Sequence, residues 1–235
     1  MDYKLVVGEI IEALEDLGTE DRRKKTAHFL STSQRVIGLS NPDLKELIKA
    51  VREQYAGRSE QEWIEFCKEL VKQDIFECQV LAYEMIGRDK KILNTLSYED
   101  LNALWGTLDN WASVDHYTVG IYGVLWGKGV VKDHHIDKLL KSDNFWDRRV
   151  AVVSTVALNL KSRGGRGDTP RTLSVCQSVV DERKPMIWKA LSWALRELSK
   201  RDPESVEDFL EEYGSRMSKQ VIREVRHKLD HGTKN

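Results

Sequence analysis

Apolar residues recur at spacings of three and four along almost the whole chain, and no alternating strand pattern flanked by a hairpin turn interrupts them. Such spacing is typical of amphipathic helices, because it places apolar side chains on one helical face. Only 4 of the 235 residues are proline and 15 are glycine, which favours long helices over a many-turned sheet. The sequence therefore predicts an all-α fold.

The helix boundaries are marked by capping patterns. Ser59 with Glu62 and Ser97 with Asp100 resemble capping boxes. Proline follows a capping residue at Asn41-Pro42, Thr169-Pro170 and Asp202-Pro203. With these marks the pattern predicts helices over residues 2–17, 20–31, 42–55, 59–73, 75–88, 97–106, 110–126, 133–141, 145–161, 170–182, 185–201, 203–213 and 218–230.

Helices joined by such short connections form either a compact bundle or a solenoid of stacked helix pairs. Pairs recur about every 35–45 residues, near the period of HEAT and armadillo repeats. We therefore favour a HEAT-like or armadillo-type α-α superhelix, with residues 1–235 forming a single helical-repeat domain.

The charge balance and the cysteine content exclude several classes of protein. Lys and Arg total 37 against 38 Asp and Glu, a formal net charge of −1, so a nucleic-acid partner requires local clusters of cations. Cys67, Cys78 and Cys176 form no close pair, unlike a disulfide framework or a zinc ribbon. No apolar run approaches the roughly 18 residues of a membrane span, and the first residues lack a signal-peptide pattern. We expect a cytoplasmic protein that has no membrane partner.

Metal and cofactor sites are not predicted. His227 and His231 stand four residues apart, but no third ligand is suitably spaced, which argues against a metal-dependent bundle hydrolase. Neither a glycine-rich phosphate loop nor a nucleophile elbow is present.

The helix at 185–201 carries a tryptophan away from its apolar face. Trp193 shares a stripe with Lys189, Arg196 and Lys200, at helical spacing. One interpretation is that Trp193 packs under a neighbouring repeat beside an ordinary solvated face. The other is a nucleic-acid or sugar contact surface, where cations bind phosphates and the aromatic face meets a ring.

The helix at 110–126 places a carboxylate one turn from an indole. Its second stripe contains Trp111, Asp115, Thr118 and Tyr122, beside a core face of other residues. Asp115 is either a surface residue paired with His116 or a lysine, or a catalytic carboxylate.

Two further segments concentrate arginine. Arg148 and Arg149 lie in the first turn of the helix at 145–161, where they are either neutralised by nearby aspartates or form an anion site. Residues 161–168 are basic and glycine-rich, which predicts a mobile surface loop whose Arg163 and Arg166 either meet phosphate or are solvated.

Three blocks in order carry a family resemblance: Asn110-Trp111-Ala112-Ser113-Val114-Asp115, residues 142–149, and residues 189–197. Together they resemble the AlkD family of alkylpurine DNA glycosylases, and residues 37–42 look like that family's Gly-x-x-x-Pro turn. The resemblance implies a HEAT-like solenoid whose concave face holds duplex DNA.

The resemblance also implies roles for individual residues. Asp115 matches the catalytic carboxylate, Trp111 and Trp193 the two tryptophans, Arg149 the active-site arginine, and Arg196 a phosphate contact. Nine residues before Gly38, where the family pattern leads us to expect a tyrosine, the chain has Phe29.

The prediction is therefore a monofunctional glycosylase that removes N3- or N7-alkylated purines from duplex DNA in base-excision repair. It acts as a monomer without a cofactor, in the cytoplasm and at the nucleoid when bound to DNA. The predicted DNA contacts are Arg148, Arg149, Lys189, Arg196, Lys200, Arg163 and Arg166. The alternative is a non-catalytic helical-repeat scaffold that binds DNA or a protein partner.

Overall fold

A computed structural model describes residues 2–233, and within that range the regular secondary structure is helical. One isolated parallel bridge joins Arg35 to Ile75. The all-α prediction is confirmed. In the described part of the chain, every helix is too short or too polar to cross a membrane.

The chain divides into two compact units, residues 1–121 and residues 122–235. The helices of the first unit are Tyr3–Leu17 (α1), Glu20–Leu30 (α2), Asn41–Gln54 (α3), Glu60–Val71 (α4), Phe76–Gly87 (α5), Lys90–Thr95 (α6), Tyr98–Leu104 (α7) and Trp111–Tyr117 (α8). The helices of the second unit are Gly123–Gly127 (α9), Asp133–Leu140 (α10), Phe145–Asn159 (α11), Thr169–Gln177 (α12), Pro185–Leu198 (α13), Pro203–Tyr213 (α14) and Lys219–His231 (α15). The interpretation of residues 1–235 as one domain stays a prediction.

Most predicted helices appear within one or two residues of their expected ends. The capping boxes of Ser59 and Ser97 are both present. The helix predicted over 170–182 ends at Gln177, and Val179 and Val180 are buried in the turn that follows it. The short helix α6 was not among the predicted helices.

A buried glutamate organises the turn at Gly38 in the first unit. Glu77 accepts hydrogen bonds from the backbone N–H groups of Ile37 at 2.9 Å and Gly38 at 2.7 Å. Gly38 has a φ of +91°, and a Cβ there would lie 2.3 Å from the backbone nitrogen of Arg23. Glycine is therefore required where the chain turns into α3, which Ser40 caps.

The core of the second unit is built around α11. This helix is buried without interruption from Arg149 to Asn159, and it packs against α9, α10, α12 and α13. Gly123 allows α9 a close approach, because a Cβ there would lie 2.7 Å from the Ser154 carbonyl oxygen.

The three cysteines are free and fully buried. Burial raises the pKa of the Cys67 and Cys78 thiols to about 12, and it also raises the pKa of Cys176. All three are therefore protonated at neutral pH.

Candidate functional site

Trp111 and Asp115 lie one turn apart on α8 in the first unit. Asn110 caps this helix, since its side-chain oxygen accepts a hydrogen bond from the Ser113 backbone N–H at 2.9 Å. Asn110 and Ser113 are fully buried, whereas Trp111 and Asp115 are half-buried. The start of the helix is thus fixed from inside the unit while both candidate residues remain partly accessible.

Uncharged side chains from two other segments support the Asn110 cap. Gln34 Oε1 accepts hydrogen bonds from Asn110 Nδ2 at 3.4 Å and from Ser113 Oγ at 3.3 Å. Gln34 Nε2 donates to Gln79 Oε1, and Gln79 Nε2 donates to the Tyr83 hydroxyl at 2.6 Å. A buried polar group left unpaired costs about 1–3 kcal/mol, so the members of this network hold each other in place. We call these five side chains the buried amide network.

Asp109 ties the segment before α8 to the turn after α2. Its carboxylate accepts hydrogen bonds from the Thr32 hydroxyl at 2.5 Å and the Ser33 backbone N–H at 2.6 Å. Burial by itself raises the pKa of Asp109, but the hydrogen bonds from Thr32, Ser33 and Asn110 outweigh it and hold the pKa below its usual range.

A π-helix at Thr118–Tyr122 follows α8 directly. Thr118 and Tyr122, which the sequence predicts on the stripe of Trp111 and Asp115, are the first and last residues of this π-helix, and both are buried. Within the described chain the Thr118 hydroxyl finds no hydrogen-bond partner. Single π-turns inside α-helices frequently accompany functional sites, and this one begins three residues after Asp115.

A pocket of about 490 Å³ in the first unit contains Trp111 in its wall. The ring of Phe29 meets the Trp111 ring edge to face, with centroids 5.6 Å apart and an interplanar angle of 88°. Phe29 is 70% exposed, so most of its surface is accessible to a ligand. The residue that departs from the family pattern is therefore in direct contact with one predicted site residue.

His116, which also lines this pocket, lies between its own helix and Glu84 of α5. Its Nδ1 lies 2.9 Å from the Ala112 carbonyl oxygen, which can only accept, so Nδ1 carries the hydrogen. Its Nε2 lies 3.6 Å from Glu84 Oε1, and Arg88 donates to the other oxygen of that carboxylate. Glu84 is thus a carboxylate that lies close to the histidine suggested by the sequence as a partner for Asp115.

In the second unit, both arginines at the start of α11 make intramolecular contacts. Arg149 is buried and Nη1 donates to the Met186 carbonyl oxygen, which links α11 to the first turn of α13. Arg148 Nε donates to Glu182 at 2.8 Å. Asp147, one of the aspartates expected to neutralise them, accepts a hydrogen bond from the Ser142 hydroxyl instead. Phosphate binding by Arg148 and Arg149 stays a prediction.

Trp193 is half-buried on α13, off the fully buried face of that helix. Arg196 Nε lies 3.9 Å from Glu224 Oε2, and Lys200 Nζ pairs with Glu197 at 2.6 Å. Burial lowers the pKa of the Arg196 guanidinium, which still stays protonated at neutral pH. Two of the three cations on this stripe therefore already face carboxylates.

Lys189 differs from its two neighbours on the stripe. It is exposed, and its Nζ lies 5.7 Å from the ring centroid of Trp188. Trp188 is not among the predicted site residues, although it stands next to Lys189 in the sequence.

The basic segment predicted as a mobile loop is anchored to its surroundings. Gly165 and Gly167 donate backbone hydrogen bonds to the carbonyl oxygens of Leu160 and Leu158, both at 3.1 Å. Arg201 Nη2 donates to the Gly165 carbonyl oxygen at 3.1 Å. Arg163 and Arg166 project from this fixed segment and line a second pocket.

The structure thus places Trp111, Asp115 and Phe29 in the first unit, with Phe29 against Trp111. In the second unit it links Arg149 to the first turn of α13. The buried amide network, and with it the role of Asn110, was not predicted from the sequence, because Gln34 and Gln79 are far from Asn110 along the chain. Among residues 2–233, no group of three or more His, Cys, Asp or Glu side chains is placed to hold a metal ion.

The architecture is a HEAT-like helical-repeat fold. A solved structure described as a predicted DNA alkylation repair enzyme from Enterococcus faecalis matches it with a TM-score of 0.69, covering 91% of this chain and 97% of that chain at 18% identity. The sequence matches the family described as DNA alkylation repair enzyme over residues 10–229. The chain belongs to this family. A search of curated proteins finds no match.

Proposed function

We propose that this protein is a monofunctional DNA glycosylase that hydrolyses the N-glycosidic bond of N3- and N7-alkylated purines in duplex DNA. The observation that carries the proposal is the half-buried Asp115, one turn from Trp111 on a helix fixed by the buried amide network. Membership of the DNA alkylation repair family supports it.

The chemistry of the substrate explains why a carboxylate suffices. Alkylation at N3 or N7 leaves the purine positively charged, so the base departs as a neutral molecule when the bond to C1′ breaks. The deoxyribose then becomes oxocarbenium-like. A strong general acid is therefore unnecessary, and the catalytic task is to stabilise the positive sugar and direct water to C1′.

Asp115 fits that task when ionised. Its negative charge stabilises the developing cation, an effect that grows where water is partly excluded. Its oxygen also accepts the proton from the water that adds to C1′, so the products are the free base and a deoxyribose with a hydroxyl at C1′.

The tryptophans and cations complete the proposed roles. Trp111 shields the sugar and attracts its positive charge through the ring face, and Trp193 offers a second aromatic face to the DNA. Arg149 is proposed to act at the reacting nucleotide. The proposed phosphate contacts are Arg148, Arg149, Lys189, Arg196, Lys200, Arg163 and Arg166.

We propose further that selectivity comes from the lability of the cationic base, and that the protein acts as a monomer in the cytoplasm, at the nucleoid when bound to DNA. Neither a metal ion nor a cofactor takes part, so we expect EDTA to leave the release of base unchanged.

The decisive experiment is single-turnover release of 7-methylguanine from duplex DNA by the Asp115→Asn variant. We expect a rate loss on the order of 10²-fold or more, because the charge is removed while shape is kept. DNA affinity should be equal or tighter, since a negative charge near a polyanion is lost. Asp16→Asn, an exposed substitution on α1, is the matched control and should leave the rate unchanged.

A thermal melt recorded beside these assays separates catalysis from folding. A rate for Asp115→Asn close to that of the unsubstituted protein would overturn the assignment. Release no faster than the spontaneous reaction in the unsubstituted protein would leave the scaffold that binds DNA or a protein partner as the better description.

A further inference from the structure

The pocket of about 490 Å³ beside Trp111 lies wholly within the first unit. Residues of α2, α3, α5 and α8 line it, and the half-buried Leu44 and Ile48 give it an apolar side along α3. Its volume falls within the range of roughly 300–1,000 Å³ that is usual for small-molecule sites. The pocket is therefore large enough for a small organic ligand.

Aromatic side chains from three helices line the same pocket. Phe29 comes from α2, Phe76 from α5 and Trp111 from α8. Phe29 is exposed, and it meets Trp111 edge to face, so the two rings form a corner with accessible aromatic surface. Flat heteroaromatic rings stack on such surfaces, because every nucleobase has a π-face. The aromatic lining thus favours a planar ligand.

The charged side chains that line the pocket balance one another. Among its lysine, arginine, aspartate and glutamate residues, Lys45 and Arg88 are cations, and Glu77 and Glu84 are anions. Glu77 accepts hydrogen bonds from the backbone at Ile37 and Gly38. Since neither sign of charge prevails, the pocket is suited to a ligand without net charge.

Glu84 supplies an acceptor in the wall of this pocket. Its side chain is only 16% exposed, and Arg88 Nε donates to its Oε2. A carboxylate has about four acceptor positions, so this bond leaves capacity for N–H groups of a ligand. A guanine-type base carries N–H groups side by side at N1 and N2, and that edge is complementary to a carboxylate.

We propose that the pocket binds the free, neutral purine base, such as 7-methylguanine, after its bond to deoxyribose has broken. This inference rests on the proposed function, which makes the base leave as a neutral molecule from a sugar shielded by Trp111. Trp111 also lies in the pocket wall, so the base is released next to the pocket. Because the base binds after cleavage, selectivity among substrates still comes from the lability of the cationic base.

The first test fills the pocket in the full chain. Ile48→Trp places a larger ring in the lining, and Leu47→Trp is the matched control, since Leu47 is half-buried on the same helix but does not line the pocket. Saturation-transfer NMR with free 7-methylguanine, recorded without DNA, measures binding. We expect saturable binding by the unsubstituted protein and by Leu47→Trp, and a loss of about tenfold or more in affinity for Ile48→Trp.

The second test removes the charge of the acceptor and keeps its size. Glu84→Gln should weaken binding of 7-methylguanine by about fivefold, because an amide has one acceptor oxygen in place of two and its NH₂ group faces the N–H edge of the base. Glu69→Gln is the control. Glu69 also pairs with a cation on its own helix, Lys72, but it does not line the pocket, so the affinity should be unchanged.

Thermal melts accompany both tests, and Glu84→Gln decides alone where Ile48→Trp does not fold. The proposal is overturned by an unsubstituted protein that shows no saturable binding, or by folded Ile48→Trp and Glu84→Gln variants that both bind as it does. Since the ligand is the free base, these outcomes are distinct from failure of the glycosylase proposal. A protein that binds the base but releases none from DNA would keep the pocket and lose the glycosylase.

Discussion

Helices α8 and α13 each carry a tryptophan off the buried side, yet their surroundings differ in kind. On α8, Trp111 follows a cap whose buried partners, among them Gln34 and Gln79, are mostly neutral, with the Asp109 carboxylate as the one charged group that contacts Asn110. On α13, Trp193 is followed by Arg196 and Lys200, which face carboxylates.

The difference bears on what each helix is suited to do. A neutral buried network has no net charge to exchange with a ligand, so it fixes position. A cation paired with a carboxylate at a partly open surface can exchange that partner for a phosphate, at the expense of the intramolecular pair. The first unit is therefore suited to holding Trp111 and Asp115 in place. Helix α13 of the second unit is suited to binding phosphate through cations that exchange their partner.

The largest expected effect comes from breaking the positioning on α8. Asn110→Ala removes the cap and leaves Gln34 and Ser113 short of a partner, so we expect the free energy of unfolding to fall by about 3 kcal/mol. Ser97→Ala removes an exposed cap from α7 and should cost only about 1 kcal/mol. Urea denaturation measures both, and equal losses would show that the buried amide network adds nothing to the cap.

The next largest expected effect is on DNA affinity, and it distinguishes Lys189 from Arg196 on α13. Lys189→Gln should weaken binding to duplex DNA by roughly tenfold, because this exposed lysine pairs with no carboxylate among residues 2–233. Arg196→Gln should weaken it by about threefold or less, since Arg196 must first part from Glu224. Binding isotherms at several salt concentrations measure both affinities. A larger loss of affinity for Arg196→Gln than for Lys189→Gln would contradict the view that pairing with Glu224 limits the contribution of Arg196.

Substitution of Thr118 tests whether its unpaired hydroxyl in the π-helix destabilises the fold. Thr118→Val removes an unpaired buried hydroxyl and should raise the free energy of unfolding by about 1 kcal/mol. Thr155 is equally buried, but its hydroxyl donates to the Val152 carbonyl oxygen at 2.7 Å, so Thr155→Val should not stabilise. Thermal melts of the two variants should therefore shift in different directions, and a common shift would assign the effect to valine itself.

The smallest effect concerns Asp109. Because its folded-state pKa lies below the unfolded value of about 3.9, its stabilising contribution is complete above that pH and is lost as the pH falls through the folded pKa. Asp109→Asn should reduce the acid-induced loss of stability below about pH 4 and leave the pH dependence near neutrality unchanged. Denaturation curves recorded between about pH 2 and pH 7 measure this change in stability. The range extends about two units below and about three units above the unfolded-state pKa of about 3.9.

Sequence patterns were sufficient for features that lie within one helix. The core face of α13, including Ala190, Leu191 and Leu195, is buried as its spacing predicts, and Trp193 lies off that face. Helix starts at Ser59 and Ser97 follow from local capping chemistry, which needs only neighbouring residues.

Contacts between distant residues were beyond that reasoning. Gln34 and Gln79 are 45 residues apart, and Arg148 and Glu182 are 34 residues apart, so no local spacing indicates either pair. The π-turn at Thr118 likewise escaped prediction, because the periodicity of residues 110–126 fits a continuous α-helix.

The burial of the three thiols affects how the protein withstands alkylating reagents. Methylating agents react with nucleophiles, and the thiolate is the most reactive that cysteine offers. Cys67, Cys78 and Cys176 are inaccessible, and burial raises the pKa of each thiol. The chain therefore presents no reactive cysteine in its folded state, and the reagents that create its proposed substrate do not inactivate it through these residues.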